Sequence, residues 1–166
     1  MEPVLTNAAT AATMATVATA LGALENSALA IWLRTSLAYP VLEIVHIVGL
    51  ATLFGSLLIV ELSLLSVIRQ VEVVALARRV LPWTLIGFVL VTGTGLCMFF
   101  ARAVELIANP VFLIKMLLIM TAGLNAAWLH SRGPLDALSM QTRVQAGLSL
   151  VLWLTVIGCG RWIAYY

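Results

Sequence analysis

Seven side chains in this 166-residue chain have the chemistry and the setting to build a site inside a membrane: Glu43, His46, Glu61, Lys115, Asn125, His130 and Arg161. Glu43, His46 and Glu61 interrupt the greasy stretch LEIVHIVGLATLFGSLLIVEL, residues 42–62. Lys115, Asn125 and His130 interrupt a second one, NPVFLIKMLLIMTAGLNAAWLH, residues 109–130. Imidazole and neutral amine ligate metals, and imidazole, amine and carboxyl all exchange protons. A charged group within a bilayer costs roughly 2.5–3.5 kcal/mol on insertion scales, so such groups need partners at their own depth.

Depth can be read from spacing. His46 and Glu61 are 15 residues apart, and so are Lys115 and His130. At the rise of an α-helix each pair spans about 22 Å, with about 60° between its members, so both lie near one face. If the two stretches cross the membrane in the same direction, two polar layers result. An outer layer holds Glu43, His46, Lys115 and Arg161. An inner layer holds Glu61, His130 and Asn125. Buried ion pairs that fix helix register, or side chains snorkelling at helix ends, account for the same residues without any further activity.

The outer layer suits one haem. Two imidazoles on opposite faces of one ring must share a depth, and the only two histidines here do not. That leaves His46 as an axial ligand to haem iron, with Lys115, Met98 or Met116, or nothing, on the other side. Arg161 and Arg102 are placed to receive propionates. Copper is an alternative, because Cys97, Met98, Met116, Cys159 and His46 all fall in the outer half and soft sulfur with imidazole suits Cu(I). Proton movement along the ionisable layers is another. No nucleotide-binding glycine loop, hydrolase elbow or zinc-protease motif is present.

The elements that would hold these residues are helices. The composition is 63% hydrophobic and 10% charged, with mean hydropathy +1.10, which fits an integral membrane protein of one domain. A net charge of +2 and scattered basic residues give no nucleic-acid surface. Two cysteines make no disulfide framework. Four stretches reach the roughly 20 apolar residues a span needs, at about 39–67, 81–101, 110–130 and 145–163. Short linkers favour an all-α, up-down-up-down four-helix transmembrane bundle over residues 38–166. Pro40, Pro82 and Pro110 each read as helix starts.

Residues 1–37 form a separate N-terminal segment. Glu2 stands where a signal peptide carries basic residues, and residues 1–24 read as weakly ordered chain, with an Ala-rich helix as the alternative. Asn26 or Ser27 caps a short amphipathic helix whose Leu29, Trp32, Leu33 and Leu37 form one stripe, as in a helix lying in the interface. The linker RQVEVVALARR also reads as helical. Arg69, Arg78, Arg79, Arg132 and Arg143 fall on one side of the bundle and Arg34, Arg102 and Arg161 on the other. Five against three puts the first side in the cytoplasm and both termini in the periplasm. Trp32, Trp83, Trp128, Trp153, Trp162, Tyr165 and Tyr166 serve as interfacial anchors. The small residues of TGTGL at 92–96 and GCG at 158–160, with Ala122 and Ala126, allow close helix packing, or alternatively leave space for a flat cofactor.

His46, the FG pair at residues 54–55, LPWTLIGFVLVTGTGL, the Lys115 helix and the terminal GRWIAYY together resemble an uncharacterised family of small four-helix bacterial inner-membrane proteins, over most of residues 38–166. More distantly the layout is similar to the bacterial membrane protoporphyrinogen oxidases and the copper-resistance D-type proteins. The oxidase resemblance implies haem b, oxidation of protoporphyrinogen, His46 in the place of the first-helix His and Lys115 in the place of the third-helix Lys. Phe54 stands where that family usually carries Trp. The resulting expectation is a protein that binds one b-type haem for electron transfer or redox chemistry with a membrane-soluble partner. The alternatives are a non-catalytic membrane subunit of an oligomer or larger complex, and a copper or proton transporter.

Overall fold

The computed structural model describes the backbone of residues 2–68, 72–131 and 139–165, and their side chains except those of residues 2–11 and 130. Among the described residues there is no strand. The helices are α1 (Glu2–Glu25), α2 (Ala28–Thr35), α3 (Ala38–Leu64), α4 (Val73–Ala101), α5 (Ala103–Ala108), α6 (Pro110–Ser131) and α7 (Met140–Trp162), followed by a 3-10 turn at Ile163–Tyr165. Four of them, α3, α4, α6 and α7, are long and apolar enough to cross a membrane, or up to five spans if the second half of α1 and α2, bent by 57° at their junction, count as one broken span.

Two boundaries differ from the sequence expectation. The second span starts at Val73 rather than near residue 81, so the helical linker and the span are one helix with Pro82 inside it. Proline there removes the N–H that would bond to the Arg78 carbonyl, a loss that membrane helices tolerate. Residues 2–25 are helix rather than weakly ordered chain. Alanine is the best helix former, and the Thr16 and Thr19 hydroxyls fold back onto the carbonyls of Ala12 and Ala15.

The α1–α2 corner is tied down by charge. Arg34 donates to Glu25 Oε1 at 3.1 Å, and Glu25 Oε2 accepts from the Val104 N–H at the start of α5. Ser27 caps α2 by accepting from Ala30 N–H. Ala30 and Leu33 turn inward and are buried, while Leu29 and Trp32 turn outward. The stripe expected on α2 is therefore split between two faces.

The closest contact in the protein is between α3 and α4. A Cβ at Gly87 would sit 2.5 Å from the Leu53 nitrogen and 2.9 Å from the Gly49 carbonyl oxygen. One at Gly49 would meet Leu90 Cβ at 2.8 Å. Only glycine lets the two backbones approach this far. Polar pairs flank the crossing: His46 with Thr94, and Ser56 with Thr84, each at 2.8 Å. A step of ten residues along α3 is matched by ten back along α4, so the pair is antiparallel and in fixed register.

On the other side α6 packs against α7, and α7 packs against α3. The most buried side chains of α6 and α7 are small, Ala122 and Ala146; Ala126 is exposed. Large apolar side chains such as Ile47, Val89, Leu117, Leu124 and Val151 point outward, as lipid-facing positions do. The helix α3 ends at Leu64, and Ser66 beyond it adopts φ 61°, a left-handed position at which glycine usually stands.

The glycine crossing gives a sharp contrast between neighbours. Gly87→Ala should cost about 1–3 kcal/mol or more, because the obstacle is backbone and cannot repack. Gly93→Ala, where nothing lies within 4 Å, should be neutral or slightly stabilising. Thermal unfolding and monodispersity in detergent check both.

Candidate functional site

His46 lies one turn before Gly49 on α3, and the glycine crossing presses it onto α4. Its Nδ1 is 2.8 Å from Thr94 Oγ1. Thr94 is buried, and its hydroxyl donates to the Leu90 carbonyl at 2.6 Å. A hydroxyl has one proton, and here it is committed. Thr94 Oγ1 is therefore the acceptor and His46 Nδ1–H the donor. This fixes the tautomer: Nε2 keeps its lone pair, the arrangement that second-shell partners impose on ligating histidines. A Cβ on Gly95 would come within 3.4 Å of His46 Cε1, so glycine keeps the edge of the ring clear.

Lys115 reaches the same level from α6. Its Nζ lies 3.2 Å from where a Gly160 Cβ would be. It is close enough to Cys159 and to His46 for direct electrostatic influence. One turn further out, Phe99 of α4 stacks on Phe112 of α6 with ring centroids 5.8 Å apart, placing an aromatic pair over this end. Asn109 sets where α6 begins. Its Oδ1 accepts from Val111 N–H at 2.9 Å and from Phe112 N–H, and its amide reaches the Ile163 carbonyl after α7. Pro110 then takes the first helical position, where its missing N–H costs nothing.

The other residues named from sequence are distributed around this pair. Glu43 is exposed, one turn before His46. Among the described residues the ion pairs are Arg34 with Glu25 and Arg102 with Glu105, so Glu43 is in neither. Arg161 is exposed and donates to the Tyr165 hydroxyl at 2.9 Å, its guanidinium lying over that ring. Arg102 is held by both carboxylate oxygens of Glu105. Met98 and Cys97 are half-buried on α4, and Met116 is exposed on α6. Among the described residues no three His, Cys, Asp or Glu side chains converge as a metal-binding group.

At the opposite end Glu61 is buried, and its carboxyl makes a hydrogen bond with Ser149 of α7. Asn125 of α6 donates to the Gln145 backbone carbonyl at 3.1 Å, one turn from Ser149. The side chain of His130 lies outside the described residues. Four partners escaped the sequence reading: Thr94, Gly160, Gln145 and Ser149. Gln145 and Ser149 carried a signal, being polar residues four apart on an apolar helix. Thr94 and Gly160 sat in motifs read as helix packing or room for a flat cofactor, not as partners of His46 and Lys115.

The match that places the chain covers residues 35–166. The chain belongs to DUF6644, a family of unknown function. No curated protein and no solved structure matches it, so the resemblance to protoporphyrinogen oxidases and copper-resistance D-type proteins gains no named relative. The DUF6644 match takes in α3 to α7, with His46, Thr94, Lys115, Glu61 and Gln145, and leaves out α1 and all but the last residue of α2.

Asn109→Ala should lower stability by about 1 kcal/mol through the lost cap. Asn109→Asp, which keeps the accepting oxygen, should lose less. Denaturation of the two variants in the same detergent distinguishes them.

Proposed function

We propose that this DUF6644 protein is an inner-membrane protein that binds one b-type haem at the His46 end and uses it for electron transfer or redox chemistry with a membrane-soluble partner. The helices α3, α4, α6 and α7 then run up, down, up, down, with both termini periplasmic and α2 in the interface. One observation carries the reading: Thr94, its own proton committed to the Leu90 carbonyl, holds the His46 imidazole as the Nδ1–H tautomer, so Nε2 keeps its lone pair for a ligand. The donor set fits a single-histidine haem. Gly95 leaves the ring edge unobstructed, and Lys115 supplies a second nitrogen at the same level.

Bound there, a haem supplies one-electron chemistry within the apolar layer. The chain's own residues do the rest. Thr94 orients the imidazole by accepting a hydrogen bond from its protonated nitrogen. The Phe99–Phe112 stack restricts water at that end. Lys115 would hold the iron as a second nitrogen ligand or supply positive charge near a propionate. Arg161, exposed at the same end and engaged only by a neutral phenol, is free to pair with a propionate. Arg102 is already matched by Glu105.

The visible spectrum of protein purified from haem-supplied cells, oxidised and reduced, tests this. A Soret band and sharp reduced α and β bands are expected near one haem per chain. His46→Ala should abolish them, and His130→Ala should spare them. Thr94→Val, which keeps the shape and removes the acceptor, should weaken haem retention by about 10–100-fold. A colourless wild type overturns the proposal.

A second reading, a subunit of an oligomer or larger membrane complex, has support from α6. Leu117, Met120, Leu124 and Trp128 form one exposed apolar face along it, and it is the least buried of the four long helices. Single cysteines along that face should cross-link between copies in native membranes if it is an interface. Failure to do so in the presence of cross-linking elsewhere on the chain leaves that face to lipid.

A further inference from the structure

The Glu61 end presents a problem of hydrogen-bond accounting. Glu61 is only 5% exposed. Its Oε2 is buried without a hydrogen-bond partner, and so is Oε1 of Gln145. The Ser149 hydroxyl lies beside the carboxyl. Gln145 and Ser149 are one turn apart on α7. Two acceptors are thus buried at this end, each without a hydrogen-bond partner, where unpartnered polar atoms are rare.

Among the described residues, nearby cations do not resolve it. Neither ion pair among the described residues involves Glu61. On α7 the charged group at this end is Arg143, which donates to the Leu65 carbonyl at 3.3 Å. On α4 they are Arg78 and Arg79, both exposed, preceded by exposed Glu72. On α6 it is His130, whose side chain lies outside the described residues. On α2 it is Arg34, paired with Glu25, and on α3 itself Glu43 and His46 stand at the far end. A metal cation is a poor solution too: a carboxylate, an amide oxygen and a hydroxyl fall short of the six or more oxygens that hard divalent ions gather.

One added proton resolves both orphans. A proton taken from water forms an O–H bond at Glu61 Oε2, changes the carboxylate to a neutral acid, and turns one of the two acceptors into a donor. It also removes a charge that the membrane penalises. We propose that Glu61 is an intramembrane proton-binding site that stays protonated at neutral pH, with Ser149 holding one oxygen and Gln145 Oε1 accepting from the acid. The site lies where the α3–α4 pair meets the α6–α7 pair. Releasing the proton would leave a carboxylate against an amide oxygen, so proton occupancy and the closeness of α3 to α7 are linked. The proposal is independent of haem at the other end.

Infrared spectroscopy of the purified full-length protein in lipid nanodiscs tests it. At neutral pH a carboxylic-acid carbonyl band is expected that shifts in D2O and is missing from Glu61→Gln. Gln145→Leu should keep the band and move it to higher wavenumber, because the acid loses its acceptor. Labelling with 13C-glutamate should shift the same band in the unmutated protein, so the assignment does not hang on a variant folding. Absence of an acid band, with a carboxylate band lost in Glu61→Gln instead, overturns the proposal. So does an acid band that vanishes when sodium chloride replaces N-methylglucamine chloride at constant pH, which would make the occupant a metal cation.

Discussion

The contact between the backbones of α3 and α4 at Gly49 and Gly87 sets the positions of the polar groups at the His46 end. Two helices this close cannot slide, because each glycine faces main-chain or Cβ atoms that have nowhere to move. The fixed register puts His46 opposite Thr94 and Ser56 opposite Thr84. A slip of one residue would turn Thr94 about 100° away from the imidazole and leave a buried hydroxyl and a buried ring nitrogen to find other partners. Packing and polar pairing therefore specify the same alignment, and agreement between levels of this kind marks a well-specified interface.

A bilayer offers no water to forgive an unpaired group, and the two polar levels of α3 meet that constraint differently. At His46 every proton has a destination: Nδ1–H goes to Thr94, and the Thr94 hydroxyl goes to Leu90. What remains is a lone pair on Nε2, a group that accepts and does not give. At Glu61 the surplus is of acceptors, and the balancing element is a proton rather than a side chain. The first level is left with an acceptor, the chemistry on which the haem proposal rests. The second is complete once a carboxyl is neutral.

Hydropathy made four membrane-spanning helices legible, since 20 apolar residues in a row admit few other structures. It misplaced the start of α4, because a proline reads as a helix start while a membrane helix can carry one in its interior. The alanine-rich start of the chain showed no amphipathic pattern, so its helical propensity was undervalued. Counting residues along α3 and α6 brought His46 and Lys115 to one depth, and in the structure they lie within electrostatic reach. Their immediate neighbours were not legible. Thr94 and Gly160 become partners only through the registers of α3 on α4 and of α6 on α7. The first of those registers depends on Gly49 and Gly87, two glycines with no local motif to single them out.

The same geometry bears on how far the two ends can influence one another. His46 and Glu61 are separated by about 22 Å of continuous helix, too far for a hydrogen-bonded relay within α3 alone. Between them α3 offers α4 the Ser56–Thr84 pair, and the Ser56 hydroxyl also reaches its own Leu53 carbonyl at 2.8 Å. That pair is off the α7 side, where Ser149 meets Glu61, so the polar groups do not form one file. Any coupling between the ends would have to travel as movement of α3 as a body, and the glycine crossing ties such movement to α4. The seam with α7 involves fewer close approaches than the α3–α4 crossing and carries the unbalanced acceptors. It is the contact that can give while the His46–Thr94 register stays intact.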